Sequence, residues 1–298
     1  MQILHFSDVH VQVDYRQIGY ANLDWRRLLA QLEMDWLGRA NDYVQAPRVI
    51  DEIGGAARRT GADHLVLSGD LTGLAFDAEF AQARAALEPI ARPDLLTVVA
   101  GNHDRFTPES ERDETFEKHF GDLLLSDLPE YCAEGPYPFV RLLRDEVAVV
   151  GLNSARANLF PGLAHGRVGR RQLDALAALL DDPRIQGLMV FVAVHHTPLR
   201  PYGWFDVPGH GMVDADKLLR IVRGPRRAVL SGHIHQRYWL QATADRPHVF
   251  CAGSSTCSGE EGYWLIEVED GLVRGAEMTE MGPGLLPPPA IAPIGATA

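Results

Sequence analysis

Short apolar runs recur along the chain, and a polar cluster closes each one: Ile3–Phe6, His64–Leu67, Leu95–Val99, Val147–Leu152, Leu188–Val194 and Ala228–Leu230. Runs of this length predict short buried strands. Between them, apolar residues return at helical spacing. Pro47–Thr60 carries Val49, Ile50 and Ile53, with Pro47 suited to a first turn. Asp77–Ile90 carries Phe80, Ala83 and Leu87; Arg170–Leu180 carries Leu173, Leu176, Leu179 and Leu180; Asp214–Arg223 carries Leu218, Ile221 and Val222. Two hairpins are predicted as well. Phe139–Leu143 and Val147–Leu152 flank Arg144-Asp145-Glu146, and Tyr263–Val268 and Leu272–Ala276 flank Asp270-Gly271. Strands and helices alternate in front, with antiparallel strands behind. The pattern predicts an α/β fold: a layered sandwich of two mixed β-sheets flanked by helices.

Two segments stand apart. About residues 20–46 read as a helical insert, in which Trp25, Leu28, Leu29, Leu32 and Trp36 form an apolar stripe. The stripe suits a helix docked on the core, and equally a lid or a lipid-facing element. From 282 to 298, Pro and Ala dominate, so a disordered tail is expected behind a single domain spanning 1–281.

Composition narrows the function. Lys plus Arg is 28 against 40 Asp plus Glu, a formal charge of −12. Such a surface repels polyanions, so nucleic acid is not an expected partner. Three scattered cysteines, Cys132, Cys251 and Cys257, suit buried thiols rather than a disulfide frame or zinc ribbon. There is no membrane-length apolar run and no basic-then-apolar leader, and a cytoplasmic, reduced protein is expected.

The polar clusters carry the chemistry. Ser7-Asp8-Val9-His10 follows the first run, Ser68-Gly69-Asp70 the second, and Gly101-Asn102-His103-Asp104 the third. His195-His196 closes Leu188–Val194, and Ser231-Gly232-His233-Ile234-His235 closes Ala228–Leu230. Sites in α/β sheets form outside the carboxyl ends of strands, so five distant clusters are expected to converge. Imidazoles, carboxylates and an amide oxygen without thiolate form a set for Mn, Fe, Zn or Co. Seven such donors exceed what one ion needs, and two ions sharing a carboxylate account for the number better. Paired divalent ions suit phosphoester hydrolysis, because they acidify water and clamp the oxygens of an in-line displacement. Gly69, Gly101 and Gly232 are expected to let the backbone turn beside them. Neither a Gly-x-Ser-x-Gly elbow nor a P-loop is present.

These five blocks, in this order over about residues 1–277, resemble the calcineurin-like metallophosphoesterase family. The resemblance implies a β-sandwich flanked by helices. It implies one metal held by Asp8, His10, Asp70 and His235, and another by Asp70, Asn102, His195 and His233, with Asp70 bridging. It also implies that His103 contacts phosphate and protonates the leaving oxygen, with Asp104 orienting or charging it. The nucleophile implied is a hydroxide on the metals, not a side chain. The block Gly101-Asn102-His103-Asp104 looks like the bacterial branch that includes cyclic-nucleotide and glycerophosphodiester phosphodiesterases, and a small phosphodiester is the expected substrate. The insert before Gly69-Asp70 departs from that branch. Relatives of the fold that split the pyrophosphate of UDP-diacylglucosamine use inserted apolar helices for acyl chains, so a lipid enzyme with peripheral membrane contact is a second reading. A non-catalytic metal-binding scaffold is a third. His196 is expected beside the ligands or facing substrate. The loop Pro201–Gly211, with Tyr202, Trp204, Phe205 and His210, is expected either to stack a base or line a substrate pocket, or to pin itself.

Overall fold

The structure is a computed structural model that describes residues 1–18, 24–30, 42–158, 160 and 162–281. Two mixed sheets form its centre. The first runs β11-β10-β1-β2-β3, from β1 (Gln2–Phe6), β2 (His64–Leu67), β3 (Leu96–Val98), β10 (Gly262–Glu269) and β11 (Leu272–Glu280). The second runs β4-β5-β6-β7-β9-β8, from β4 (Phe139–Leu143), β5 (Val147–Gly151), β6 (Met189–His196), β7 (Arg227–Gly232), β8 (Arg237–Leu240) and β9 (His248–Ala252). β1, β2 and β3 are mutually parallel, and so are β5, β6, β7 and β9; hairpin partners β4, β8, β10 and β11 run against their neighbours.

Helices cover the outer faces. Among them, α1 is Tyr15–Ile18, α2 is the helical stretch 25–30, α3 is Ala46–Thr60, α4 is Asp77–Leu87, α5 is Pro108–Arg112, α6 is Thr115–Phe120, α7 is Arg170–Leu180 and α8 is Ala215–Ile221. Period-two alternation sorts the buried strands into two cores. Phe191 and Ala193 of β6 join Val147 and Val149 of β5 in the core shared with the other sheet. Val190, Val192 and Val194 pack instead with Leu173, Leu176 and Leu218 of α7 and α8. The apolar stripe of α3, Val49, Ile50 and Ile53, packs on the first sheet with Phe80, Ala83 and Leu87 of α4. The expected sandwich is therefore the fold.

Several expectations need adjustment. β6 continues through His195 and His196 rather than stopping before them, and its pairing with β7 slips between Ala193 and His196. Such an irregularity re-aims side chains where a ladder ends. The pattern gave no warning of β8, β9, α5 or α6. Of the insert, only 24–30 and 42–46 are described; Leu32, Trp36 and the tail 282–298 lie outside the described residues. No described helix is long and apolar enough to cross a membrane.

Two core histidines make stability acid-sensitive. His5 Nε2 pairs with the Ser68 hydroxyl at 2.9 Å, and the Thr97 hydroxyl lies 2.8 Å from His64 Nε2. Burial pushes His5 down to about 3 and His64 down to about 4. An unfolded chain takes up these protons near pH 6.5 and the folded chain does not, so stability falls as pH drops from 6.5 toward 4. Each ring contributes a slope of about 1.4 kcal/mol per pH unit. His64→Gln is expected to remove about one such unit of slope, read from urea unfolding between pH 6 and 4.5 with chelator present throughout. An unchanged slope would contradict the assignment.

Candidate metal centre

The carboxyl ends of β1, β2, β3, β6 and β7 meet at one edge of the two sheets. Asp8, Asp70 and His195 are almost wholly buried there, with His10 and His233 nearly so. Two groups of donors form. In the first, His235 Nε2 lies 3.2 Å from Asp8 Oδ1 and 3.3 Å from His10 Nε2, and His10 Nε2 lies 3.8 Å from Asp70 Oδ2. In the second, His195 Nε2 lies 3.3 Å from Asp70 Oδ2 and 3.0 Å from Asn102 Oδ1, and His233 Nδ1 lies 2.9 Å from the same Asn102 oxygen. Asp70 faces both groups. All seven residues singled out in the sequence are thus brought together.

The rings show what belongs between them. His10 Nδ1–H donates to the Thr72 carbonyl at 3.3 Å, His195 Nδ1–H to the Ser68 carbonyl at 2.9 Å, and His233 Nε2–H to the His210 carbonyl at 2.9 Å. Each bond fixes a tautomer and turns the other nitrogen's lone pair inward, the arrangement that holds metal-ligating imidazoles. The lone pairs of His10 and His195 then face Asp70 Oδ2, at 3.8 and 3.3 Å, and acceptors facing acceptors require positive charge between them. His195 shows the same demand. Burial disfavours its charged form, but Asp70 and Asp8 overrule burial and hold it up at about 9. Burial keeps His10 at about 3 and His233 well below its ordinary value, the neutral state of a ligand. Asp70 stays well below the usual carboxylate range despite burial, because His195 and His103 stand beside it. The donor set fits two divalent cations.

The backbone is bent to make this cage. Asp8, His10, Asp70, His233 and His235 all have φ between 42° and 75°, in the left-handed region uncommon for residues with a side chain. Such conformations persist only where surroundings hold them. The Ser254 hydroxyl donates to the Asp8 carbonyl at 2.8 Å and the Thr256 hydroxyl to the Val9 carbonyl at 2.7 Å, while Ser7 N–H donates to Ser255 Oγ at 3.0 Å. Of the glycines, Gly69 has φ of 101°, as a sharp turn requires. Gly232 serves differently: a Cβ there would lie 2.0 Å from Asp8 Oδ2, so its part is close approach rather than turning.

Asp104 requires a correction. Expected to orient or charge the His103 ring, its buried carboxylate accepts instead from the N–H groups of Leu71 at 2.9 Å, Thr72 at 2.9 Å and Gly101 at 2.8 Å, and from the Thr72 hydroxyl at 3.0 Å. It ties the loop after β2 to the loop after β3. The His103 ring is oriented by Gly73, whose carbonyl accepts from Nδ1 at 2.6 Å, and the His103 N–H donates to Asp70 Oδ1 at 2.8 Å.

The neighbouring histidines also settle. His196 is buried behind the second group, its Nδ1 2.8 Å from the Ser154 hydroxyl and its Nε2–H donating to the Ala164 carbonyl at 2.9 Å. The His210 ring lies 4.3 Å from that of His233, centre to centre, and Nδ1 pairs with Asp206 at 2.6 Å. In the same loop, Tyr202 and Trp204 are exposed and line neither cavity at the centre.

Two cavities open on the donors. One is bordered by Asp70, Asn102, His103, Arg200, His210 and His233. The other, of about 250 Å³, begins at His10, Asn102, His103 and His235 and is bordered further out by Arg26, Leu29 and Ala30 of the insert and by Arg156, Asn158 and Phe160. The sequence gave no sign of this second cavity, because isolated arginines and leucines form no pattern.

The profile of the Calcineurin-like phosphoesterase family matches residues 1–237. The chain belongs to that family. It is accordingly a hydrolase of phosphoesters, consistent with the sequence blocks and the sandwich. A protein of Rhodococcus erythropolis named a probable cyclic nucleotide phosphodiesterase is 30% identical over 246 residues, 80% of this chain and 72% of that protein. A dimetal phosphatase from Danio rerio shares the fold at a TM-score of 0.59 and 12% identity, over 90% of this chain and 92% of that one.

Proposed function

We propose that this phosphoesterase is a dimetal phosphodiesterase acting on a small diester of the cyclic-nucleotide type. Asp8, His10, Asp70 and His235 would hold one divalent ion, and Asp70, Asn102, His195 and His233 the other. The observation that carries the reading is the position of Asp70, shared by two groups of inward-facing lone pairs. Mn, Fe, Zn or Co suits these nitrogen and oxygen donors. When bound, such a pair acidifies a water and neutralises charge on phosphate oxygens.

The chain's own residues supply the rest. His103 stands on the border of both cavities, its Nδ1 committed to Gly73, so Nε2 is the atom that delivers a proton to a leaving oxygen. Asp104 acts through backbone, holding Asp70 and Asn102 on their two loops at the spacing both groups need. The named relative favours a cyclic nucleotide over other diesters.

Metal removal tests the reading. Dialysis against a chelator is expected to abolish hydrolysis of bis-p-nitrophenyl phosphate and to lower Tm. Adding back Mn is expected to restore both, with two ions bound per chain by elemental analysis. A tightly bound metal at 100 times its Kd stabilises the fold by about 2.7 kcal/mol. Full activity in the chelated protein, or a single ion at full activity, would contradict the proposal.

A further inference from the structure

The cavity of about 250 Å³ has an unusual lining for an acidic protein. Arg26, Arg105 and Arg156 border it, and no aspartate or glutamate does among the described residues. The whole chain carries a formal charge of −12. A local excess of guanidinium at the edge of the metal centre therefore marks where an electron-rich group sits. Arg105 is committed elsewhere, to an ion pair with Glu117. Arg156 has no ion pair among the described residues: its Nη2 donates to the Arg167 carbonyl, and its Nε, like that of Arg105, has no hydrogen-bond partner. Two residues on, Asn158 Oδ1 is likewise buried and unmatched. Buried polar atoms without partners are costly, and beside a cavity a bound molecule is what can satisfy them after a small side-chain rotation.

The remaining lining is apolar. Leu29 comes from the insert, Leu74 from the loop after β2, Phe106 from the loop after β3, and Phe160 from the segment following Asn158. The described stretch 24–30 of the insert is fixed beside the cavity at two points. Arg26 Nη1 donates to the Asn158 carbonyl at 2.7 Å on one side. Arg27 donates to the Leu74 and Ala75 carbonyls at 2.9 and 2.8 Å on the other, its guanidinium 4.1 Å from the Phe76 ring centre. The sequence left the insert open between core packing, lid and lipid contact. The structure places Arg26, Leu29, Ala30 and Tyr43 of the insert in the lining of a pocket that combines apolar side chains with arginines.

The geometry points to a base-binding subsite in which Arg156 selects a purine that presents two acceptors on one edge. This inference rests on the phosphodiesterase reading and adds the substrate class. Glycerol or ethanolamine groups offer nothing to Leu29, Leu74, Phe106 and Phe160, whereas a nucleobase offers a π-face and an edge. An arginine fork only donates. It pairs in bidentate fashion with guanine O6 and N7, while the same edge of adenine places a donor beside its acceptor. The cavity therefore favours guanine.

Rates for cyclic GMP, cyclic AMP, a glycerophosphodiester and bis-p-nitrophenyl phosphate, measured on one Mn-loaded preparation, test this. Cyclic GMP is expected to have the highest kcat/KM of the three natural diesters, several-fold above cyclic AMP. Arg156→Gln is expected to raise KM for cyclic GMP at least tenfold and to collapse the ratio of cyclic GMP to cyclic AMP toward one. A merely structural arginine would lower all rates together and leave that ratio intact, so an intact ratio overturns the inference. Arg156→Lys keeps the charge and loses the fork; if it preserves the guanine preference, recognition is by charge alone and the inference fails. Should Arg156→Gln not fold, Arg156→Lys carries the test on its own. Hydrolysis of bis-p-nitrophenyl phosphate without any preference for cyclic nucleotides removes the base subsite and leaves the phosphodiesterase reading standing. No hydrolysis of any diester removes both.

Discussion

Asp70→Ala is expected to lower kcat/KM by at least about 10³-fold, on the order of 4 kcal/mol of transition-state stabilisation, and by more than any other single change in the cage. Three losses coincide at this residue. Its Oδ2 faces His195 in one group and His10 in the other, so both cations lose a donor. Its charge is what holds His195 up near 9, so the positive demand of the site falls. Its Oδ1 accepts the His103 N–H at 2.8 Å, so the loop that carries His103 loses an anchor. Elemental analysis should show both ions depleted, whereas Asn102→Ala should deplete one group alone. An Asp70→Ala enzyme with a tenth of the original activity would mean that Asp70 is not shared.

His103→Ala should behave differently, keeping metal and losing rate. The ring is not among the seven inward donors, and its Nδ1 is tied to Gly73, so its removal leaves the two groups intact. General acid catalysis contributes typically about 10²–10⁴-fold, and a loss in that range is expected in kcat. The size should depend on the leaving group. p-Nitrophenolate leaves without help, so bis-p-nitrophenyl phosphate should suffer least. A ribose alkoxide needs the proton, so a cyclic nucleotide should suffer most. Equal losses on both substrates would assign His103 to phosphate binding rather than proton transfer.

Much of the site is legible in the sequence because each donor follows or closes an apolar strand and needs no long-range information to be seen. Asp8 and His10 directly follow Ile3–Phe6, and His233 and His235 directly follow β7; parallel strand order does the rest. Roles carried by backbone contacts are not legible in this way. Asp104 follows His103 in the chain and invites a side-chain pairing, but the turn at Gly101 points it at three N–H groups of two loops. The strands β8 and β9 escape for a different reason. Arg-Tyr-Trp-Leu in β8 is uniformly half-buried at a sheet edge, so it shows no alternation, and β9 opens on His248, which reads as polar. The helices α5 and α6 are too short for periodicity; only the Thr107 cap, accepting from the Ser110 N–H at 3.1 Å, marks the start of the first. The arginine-lined cavity is assembled from the insert and from 156–164, segments with no shared pattern.

The braces on Asp8 come from the far end of the polypeptide. Ser254 is 246 positions downstream of the carbonyl it holds, and β10, which lies between β1 and β11, begins later still, at Gly262. At about 5–20 residues per second on the ribosome, that separation amounts to roughly 10–50 s. Throughout that interval the nascent chain exposes Asp8 and His10 beside a strand with one open edge. The cage therefore closes only after the chain through Thr256 has emerged, and loading of the metal pair follows the synthesis of that stretch.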